Sequence, residues 1–177
     1  MKKEILANIK DGELFSVAGI EFIKFYEENG YTVAVAKDSL GDYEFGRNNN
    51  FAESDIKEML EKEVLPKIEE EIGEENTVEH EVDLLSLDGD DKWGKINCKI
   101  SLPTFDFYRK NVKIFDKYKL ERWWWLATPD TTDRHYNDNW IVCVSPDGFI
   151  NGNSYNCNLG FCPFLTFVSS IYISCKE

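Results

Sequence analysis

Two histidines, five cysteines and two oxygen-rich runs are the residues of this chain that could do chemistry. His80 stands in an acidic stretch and reads as a solvated side chain. His135 stands in Asp133-Arg134-His135-Tyr136. A Cys–His nucleophile needs a thiol within hydrogen-bond reach of the imidazole. Cys143 and Cys157 are the candidates, and their spacing does not show either one meeting His135. No G-x-S-x-G, H-E-x-x-H or glycine-rich phosphate loop occurs. The chain therefore reads as a non-enzyme, with no catalytic residue and no cofactor. Cys98, Cys143, Cys157, Cys162 and Cys175 are odd in number, irregularly spaced, and contain no C-x-x-C pair for zinc. They read as reduced thiols used as small apolar groups in a cytosolic protein.

The oxygen-rich runs are incomplete as cation sites. Asp88-Gly89-Asp90-Asp91 begins like a calcium loop but lacks the later ligands and the bidentate glutamate. Asp130, Asp133, Asn137, Asp138 and Asn139 form the second run. Ligation there depends on geometry that a sequence does not give, so no metal is assigned.

Recognition remains. The loop Thr128–Asn139 mixes Asp, Thr, Arg, His, Tyr and Asn. A second polar stretch runs Asn151-Gly152-Asn153-Ser154-Tyr155-Asn156. Tyr, Ser, Gly and Asn are the residues adaptable contact surfaces use. The candidate contact residues are Asp130, Asp133, Arg134, His135, Tyr136, Asn137 and Asp138 in the first loop. In the second they are Asn151, Asn153, Tyr155 and Asn156. Tyr136 and Tyr155 are the candidate anchors. The same composition also fits ordinary surface loops.

The elements that must position these loops are aromatic. On a strand, successive side chains point to opposite faces, so Trp123-Trp124-Trp125 loads both faces with indole surface that is costly to leave in water. Trp123, Trp124, Trp125 and Trp140 are therefore expected in the structural core, with the first polar loop between two strands. Earlier in the chain, Ile20–Tyr26 and Tyr31–Ala36 flank Asn29-Gly30, a hairpin turn signal. A polar stretch, Gly41 to Asn50, follows. Ile56, Met59, Leu60, Val64, Ile68 and Ile72 then recur at helical steps behind Ser54, a plausible cap. Pro66 predicts a kink and Gly73 a stop. Strands are expected over Val82–Leu87, Ile96–Ile100, Trp123–Leu126, Trp140–Val144, Phe149-Ile150, Phe164–Phe167 and Ile171–Ser174. A short aromatic helix is expected behind Thr104.

Of 177 residues, 33 are acidic and 20 basic, a formal charge of −13. Such a surface is repelled by phosphate backbones, which argues against direct nucleic-acid binding. From Glu53 to Glu81 there are 12 acidic and 3 basic residues, leaving −9 of that total in one region. It reads as a solvated helix face, or as an acidic docking surface centred on Glu69, Glu70, Glu71, Glu74 and Glu75. No segment has the length of a membrane span, and the first residues lack the apolar core of a signal peptide. The length suits one domain, 1–177, divided into a β-meander (1–50), an acidic helix region (51–81) and a C-terminal half (82–177). The fold class is α+β.

The order of these motifs carries a resemblance. An opening hairpin through Gly12-Glu13 and Gly19 leads to an acidic helix starting Ser54-Asp55-Ile56. Then come Ile100-Ser101-Leu102-Pro103-Thr104, a Trp-Trp-Leu block ending in Pro129, Val144-Ser145-Pro146-Asp147-Gly148, and Gly160-Phe161-Cys162-Pro163. This resembles an uncharacterised family of bacterial, prophage and phage domains whose members carry Trp-Trp-Leu-Arg-Ser-Pro and Gly-Val-Arg-Pro. That family is similar in outline to C-type-lectin-like folds. Two arginines of its pattern fall on Ala127 and Cys162 here, which marks a divergent member. The resemblance implies a C-type-lectin-like domain of phage or prophage origin, in the host cytoplasm or on a particle. Its expected role is to bind a protein or a glycan through the polar loops. The alternative is a small acidic inhibitor of a host defence nuclease, anti-CRISPR-like, that uses the glutamate-rich helix to fill a basic groove. The sequence does not specify the partner or the oligomeric state.

Overall fold

The computed structural model of the chain describes residues 2–132 and 138–175. After β1 (Lys2–Ile5) the chain forms a meander of β2 (Leu14–Val17), β3 (Ile20–Glu28) and β4 (Tyr31–Ala36). Asn29 and Gly30 both have positive φ, 52° and 82°. That is the backbone twist a two-residue hairpin needs, and Asn and Gly tolerate it best. A short β5 (Asp42–Glu44) follows.

The helix begins at α1 (Asp55–Met59), where Ser54 Oγ accepts from the Lys57 amide at 3.1 Å. It widens into a π turn over Leu60–Val64 and resumes as α2 (Leu65–Ile72). Pro66 explains the widening. It has no N–H for the Lys62 carbonyl, and its ring crowds that turn, so the chain takes a wider turn and restarts with proline in the first turn of α2. Ile56, Met59, Leu60, Val64 and Ile68 are buried, while Ile72 is partly so. Gly73, at φ 91°, ends the helix.

Next come β6 (Thr77–Val78), β7 (His80–Asp83), β8 (Lys95–Cys98) and β9 (Ile100–Ser101). The strand expected to reach Leu87 stops at Asp83, whose carboxylate accepts from the Leu85 amide at 3.0 Å and turns the chain. The single aromatic helix expected after Thr104 is two, α3 (Phe105–Lys110) and α4 (Val112–Lys117), broken at Asn111. The last third holds β10 (Trp124–Pro129), β11 (Trp140–Val144), β12 (Ile150–Ser154), β13 (Asn158–Gly160), β14 (Phe164–Val168) and β15 (Tyr172–Cys175).

One sheet runs β1-β15-β2-β3-β4-β14, with β6 and β9 sharing the far side of β14. It is curled. Four strand spacings of ~4.8 Å separate β14 from β15, about 19 Å. The linking residues 169–171 allow at most ~14 Å between the two strand ends, so a flat sheet could not be joined this way. The second sheet runs β12-β11-β10-β13-β5, and β7-β8 forms a separate hairpin. One apolar cluster runs through both sheets. Phe15, Phe22 and Phe167 meet under the first sheet. Trp124 packs on Tyr108 and Phe115 of the helices, and Trp125 on Phe45. These neighbouring indoles therefore do cover opposite faces of β10. The result is a mixed α+β architecture with a curled sheet and a kinked helix. No helix among the described residues is long and apolar enough to cross a membrane.

Candidate functional site

Asn49 is fully buried, although it lies in the run Asn48-Asn49-Asn50 that reads as a polar stretch. Its Nδ2 donates to the carbonyls of Thr131 (2.6 Å) and Trp140 (3.0 Å). Its Oδ1 accepts from Trp93 Nε1 at 2.9 Å, and its amide donates to the Asp138 carbonyl at 2.6 Å. One side chain thus ties together the two ends of the first polar loop. Burial without these partners would cost several kcal/mol, so the loop base and Asn49 specify each other. Thr131 Oγ1 also donates to Asp88 at 2.7 Å, and Ser86 Oγ holds the other oxygen of Asp88 at 2.5 Å. Sequence reasoning missed this hub, because its partners are far away along the chain.

The second polar stretch lies beside this base. Tyr155 donates its amide to the Asn139 carbonyl at 2.9 Å and accepts from the Phe45 amide at 2.8 Å. Asn151 and Asn153 are not on a loop as expected. They lie on β12, opposite Cys143 and Ile141, because Val142–Val144 and Ile150 continue the ladder from the Pro146–Gly148 turn. Asn153 sits between the thiols of Cys143 (3.9 Å) and Cys157 (3.7 Å). Asp130, Asp138 and Tyr155, with Asn156 next to it, therefore meet at the Trp140 end of the second sheet, while Asn151 and Asn153 lie along β12 on the face opposite Trp140 and Gly152. Asp133, Arg134, His135, Tyr136 and Asn137 lie outside the described residues.

Two tryptophans expected in the core are at the surface. Trp124 and Trp125 are buried, but Trp123 is 36% exposed and Trp140 42%. Trp123 precedes the strand, and only its carbonyl joins the sheet, accepting from Gly160 at 2.9 Å. Trp140 starts β11 beside Gly152 of β12, which has no side chain to cover the indole. A Cβ built on Gly152 would lie 3.2 Å from both Trp140 Cε3 and Asp130 Oδ2. Gly152 thus lets the indole and the carboxylate lie down on the β12 backbone, in space that a side chain would contest. Burial, and then the neighbouring Asp88 carboxylate, raise the pKa of Asp130 above the usual carboxylate range.

No family model, curated protein or solved structure matches this chain.

Burial pushes the thiols of Cys98 and Cys143 up to about 11 and raises that of Cys162 as well, which makes them poor nucleophiles at neutral pH. His80 is not the solvated side chain expected. It packs 4.6 Å from the Phe164 ring and shares a 2.8 Å hydrogen bond with buried Ser101. Burial lowers its pKa to about 4. Its cross-strand partner is Cys98, and both groups are driven to their neutral forms, the opposite of a thiolate–imidazolium pair. Among the described residues no three His, Cys, Asp or Glu side chains gather as for a metal.

The proposed acidic surface is partly used inside the fold. Glu69 accepts from Thr77 Oγ1 (2.6 Å) and Lys99 Nζ (2.9 Å). Glu71 accepts from the Ala18 amide at 2.7 Å, steadying a residue at φ 51°. Glu74 pairs with Lys99 at 3.6 Å and stays largely exposed, as do Glu70 and Glu75. An acidic groove lies between α1 and β5, lined by Glu44, Asp55, Glu58 and Glu63 with Tyr43, Met59 and Asn158, and Lys62 in it pairs with Glu58.

Proposed function

We propose that this protein is a non-enzymatic binding module that holds a protein or glycan partner on the surface formed by Asp130, Trp140, β12 and the first polar loop. The observation that carries this reading is the exposed Trp140 laid against Gly152 together with Asp130, on a loop base fixed by Asn49. Large aromatic side chains on a rigid support are typical anchors of recognition. A C-type-lectin-like scaffold, phage or prophage origin, and placement in the host cytoplasm or on a particle belong to the same proposal, on the strength of the sequence motifs. The test is capture from host lysate on immobilised full-length protein. The control replaces residues 133–137 with Gly/Ser and carries Trp140→Ser, Asn151→Ser and Tyr155→Ser. Loss of the captured protein supports the reading. Equal capture by both proteins overturns it.

The groove of carboxylates between α1 and β5 favours a second reading, an acidic inhibitor of a host nuclease. Its charge would compete with nucleic acid for a basic cleft. The docking residues then shift from Glu69 and Glu71, which serve the fold, to exposed Glu44, Glu58 and Glu63 of the groove. Charge reversal at those three should abolish a binding that already weakens steeply with salt. Salt-insensitive binding would exclude it.

A further inference from the structure

The outer edge of the second sheet is β12, which has one neighbour, β11, among the described residues. Ser145 donates to the Phe149 carbonyl and Tyr155 to the Asn139 carbonyl, each at 2.9 Å. The register between them pairs Cys143 with Asn151 and Ile141 with Asn153. Hydrogen-bonded pairs alternate along an antiparallel ladder. Residues 149, 151, 153 and 155 therefore turn their backbone groups toward β11, while Ile150, Gly152 and Ser154 turn theirs outward, where the Gly152 amide donates to Asn151 Oδ1 at 2.8 Å, an exposed local bond that an added strand would replace. No strand among the described residues pairs with that side of β12. Exposed edges are normally blunted by charge or proline, and Ile150-Asn151-Gly152-Asn153-Ser154 contains neither. Phe149, next to it, is 72% exposed.

The two side chains laid over Gly152 decide what such an edge would accept. A residue placed opposite Gly152 on an added strand projects its side chain on the same face as Gly152, over Trp140 and Asp130. Carboxylate and indole together suit a cation, through a charge-assisted hydrogen bond and ring contact. Among the described residues no cation is paired with Asp130. The formal charge of −13 favours a basic partner. It disfavours a second copy, whose β12 carries no cation to offer Asp130.

We propose that the free edge of β12 receives an extended basic segment of a partner protein as an added strand, with a Lys or Arg lying across Gly152 against Trp140 and Asp130. This rests on the binding-module reading and selects a protein over a glycan.

The test titrates isotope-labelled full-length protein with acetylated, amidated heptapeptides. The peptides alternate Thr and Val around a central Lys, Arg, Gln or Glu. The Lys and Arg peptides should shift the amide signals of Ile150, Gly152 and Ser154 and slow their hydrogen exchange. The Gln peptide should bind about fivefold or more weakly, as loss of a partly desolvated cation contact implies, and the Glu peptide more weakly still. Asp130→Asn should erase most of the Lys–Gln difference. Gly152→Val should block the Lys peptide while distant amide signals stay in place. Shifts confined to other surfaces, equal binding of all four peptides, or a dimer sealed through β12 in sedimentation would each overturn strand addition. Host-lysate capture that depends on the loops, alongside peptides that ignore β12, would overturn strand addition alone. Loop-independent capture would instead overturn the binding-module reading.

Discussion

Replacing Asn49 with alanine tests the claim that one buried amide organises the recognition surface. The substitution deletes three side-chain hydrogen bonds, to Thr131 O, Trp140 O and Trp93 Nε1. A typical bond contributes about 1 kcal/mol net, and a buried polar group left without a partner costs about 1–3 kcal/mol. Trp140 is at the surface, so water can replace part of what its carbonyl loses. The sum is therefore about 3–5 kcal/mol, a large fraction of the roughly 5–15 kcal/mol usual for a folded domain. Urea unfolding followed by tryptophan emission measures it, with an unchanged m-value as the sign that the same transition is being compared. Hydrogen exchange gives the local half of the test. The Asp130 amide, which donates to the Trp140 carbonyl at 3.0 Å, should exchange faster in the variant by more than the global loss explains. Trp93→Phe removes one donor alone and should cost only about 1–2 kcal/mol. A loss below about 1 kcal/mol for Asn49→Ala, with Asp130 exchange unchanged, would refute the hub.

Two other predictions follow from burial. The pKa of His80 is about 4 in the fold and 6.5 as the reference, so between these values the unfolded chain binds more protons. Its contribution is complete above about pH 6.5 and is lost as pH falls toward 4, to an extent of about 3 kcal/mol. Chemical denaturation at pH 7.5 and 4.5 should show a smaller loss in His80→Gln, and equal losses in both proteins would count against the buried imidazole. Trp125→Ala should cost about 3–5 kcal/mol by the cavity it leaves, whereas Trp123→Ser should cost less than about 1 kcal/mol. Thermal unfolding of the two variants would distinguish them, and equal destabilisation would contradict the exposure difference.

Local signals were legible where one residue sets the backbone. Asn29-Gly30 announced its hairpin, and Ser54 and Thr104 announced the caps at which their hydroxyls do accept backbone amides. Pro66 announced an interruption, though not that it would take the form of a π turn. The apolar stripe from Ile56 to Ile68 was readable because period and burial coincide. What failed depends on distant partners. β5 and β13 are three residues each with no alternation, and they exist because they pair with each other and because β13 lies beside β10. Trp140 reads as core by type, and only the absence of a side chain at Gly152, on the neighbouring strand, exposes it. Asn49 reads as loop because nothing nearby in the sequence shows that Trp93, Thr131 and Trp140 will converge on it. His80 reads as solvated among acids, but the Phe164 ring covers it from 84 positions away.

The pairing of β1 with β15 matches Lys2 to Cys175 and Ile5 to Tyr172. The first strand has no other neighbour in its sheet, so its hydrogen bonds wait until residues 172–175 have left the ribosome. The chain must then close the long loop from Ile5 to Tyr172, at an entropic cost that slows the search for the native state. Until that closure, the edge of β2 that meets Ser174 at Ser16 remains unpaired and open to other strands.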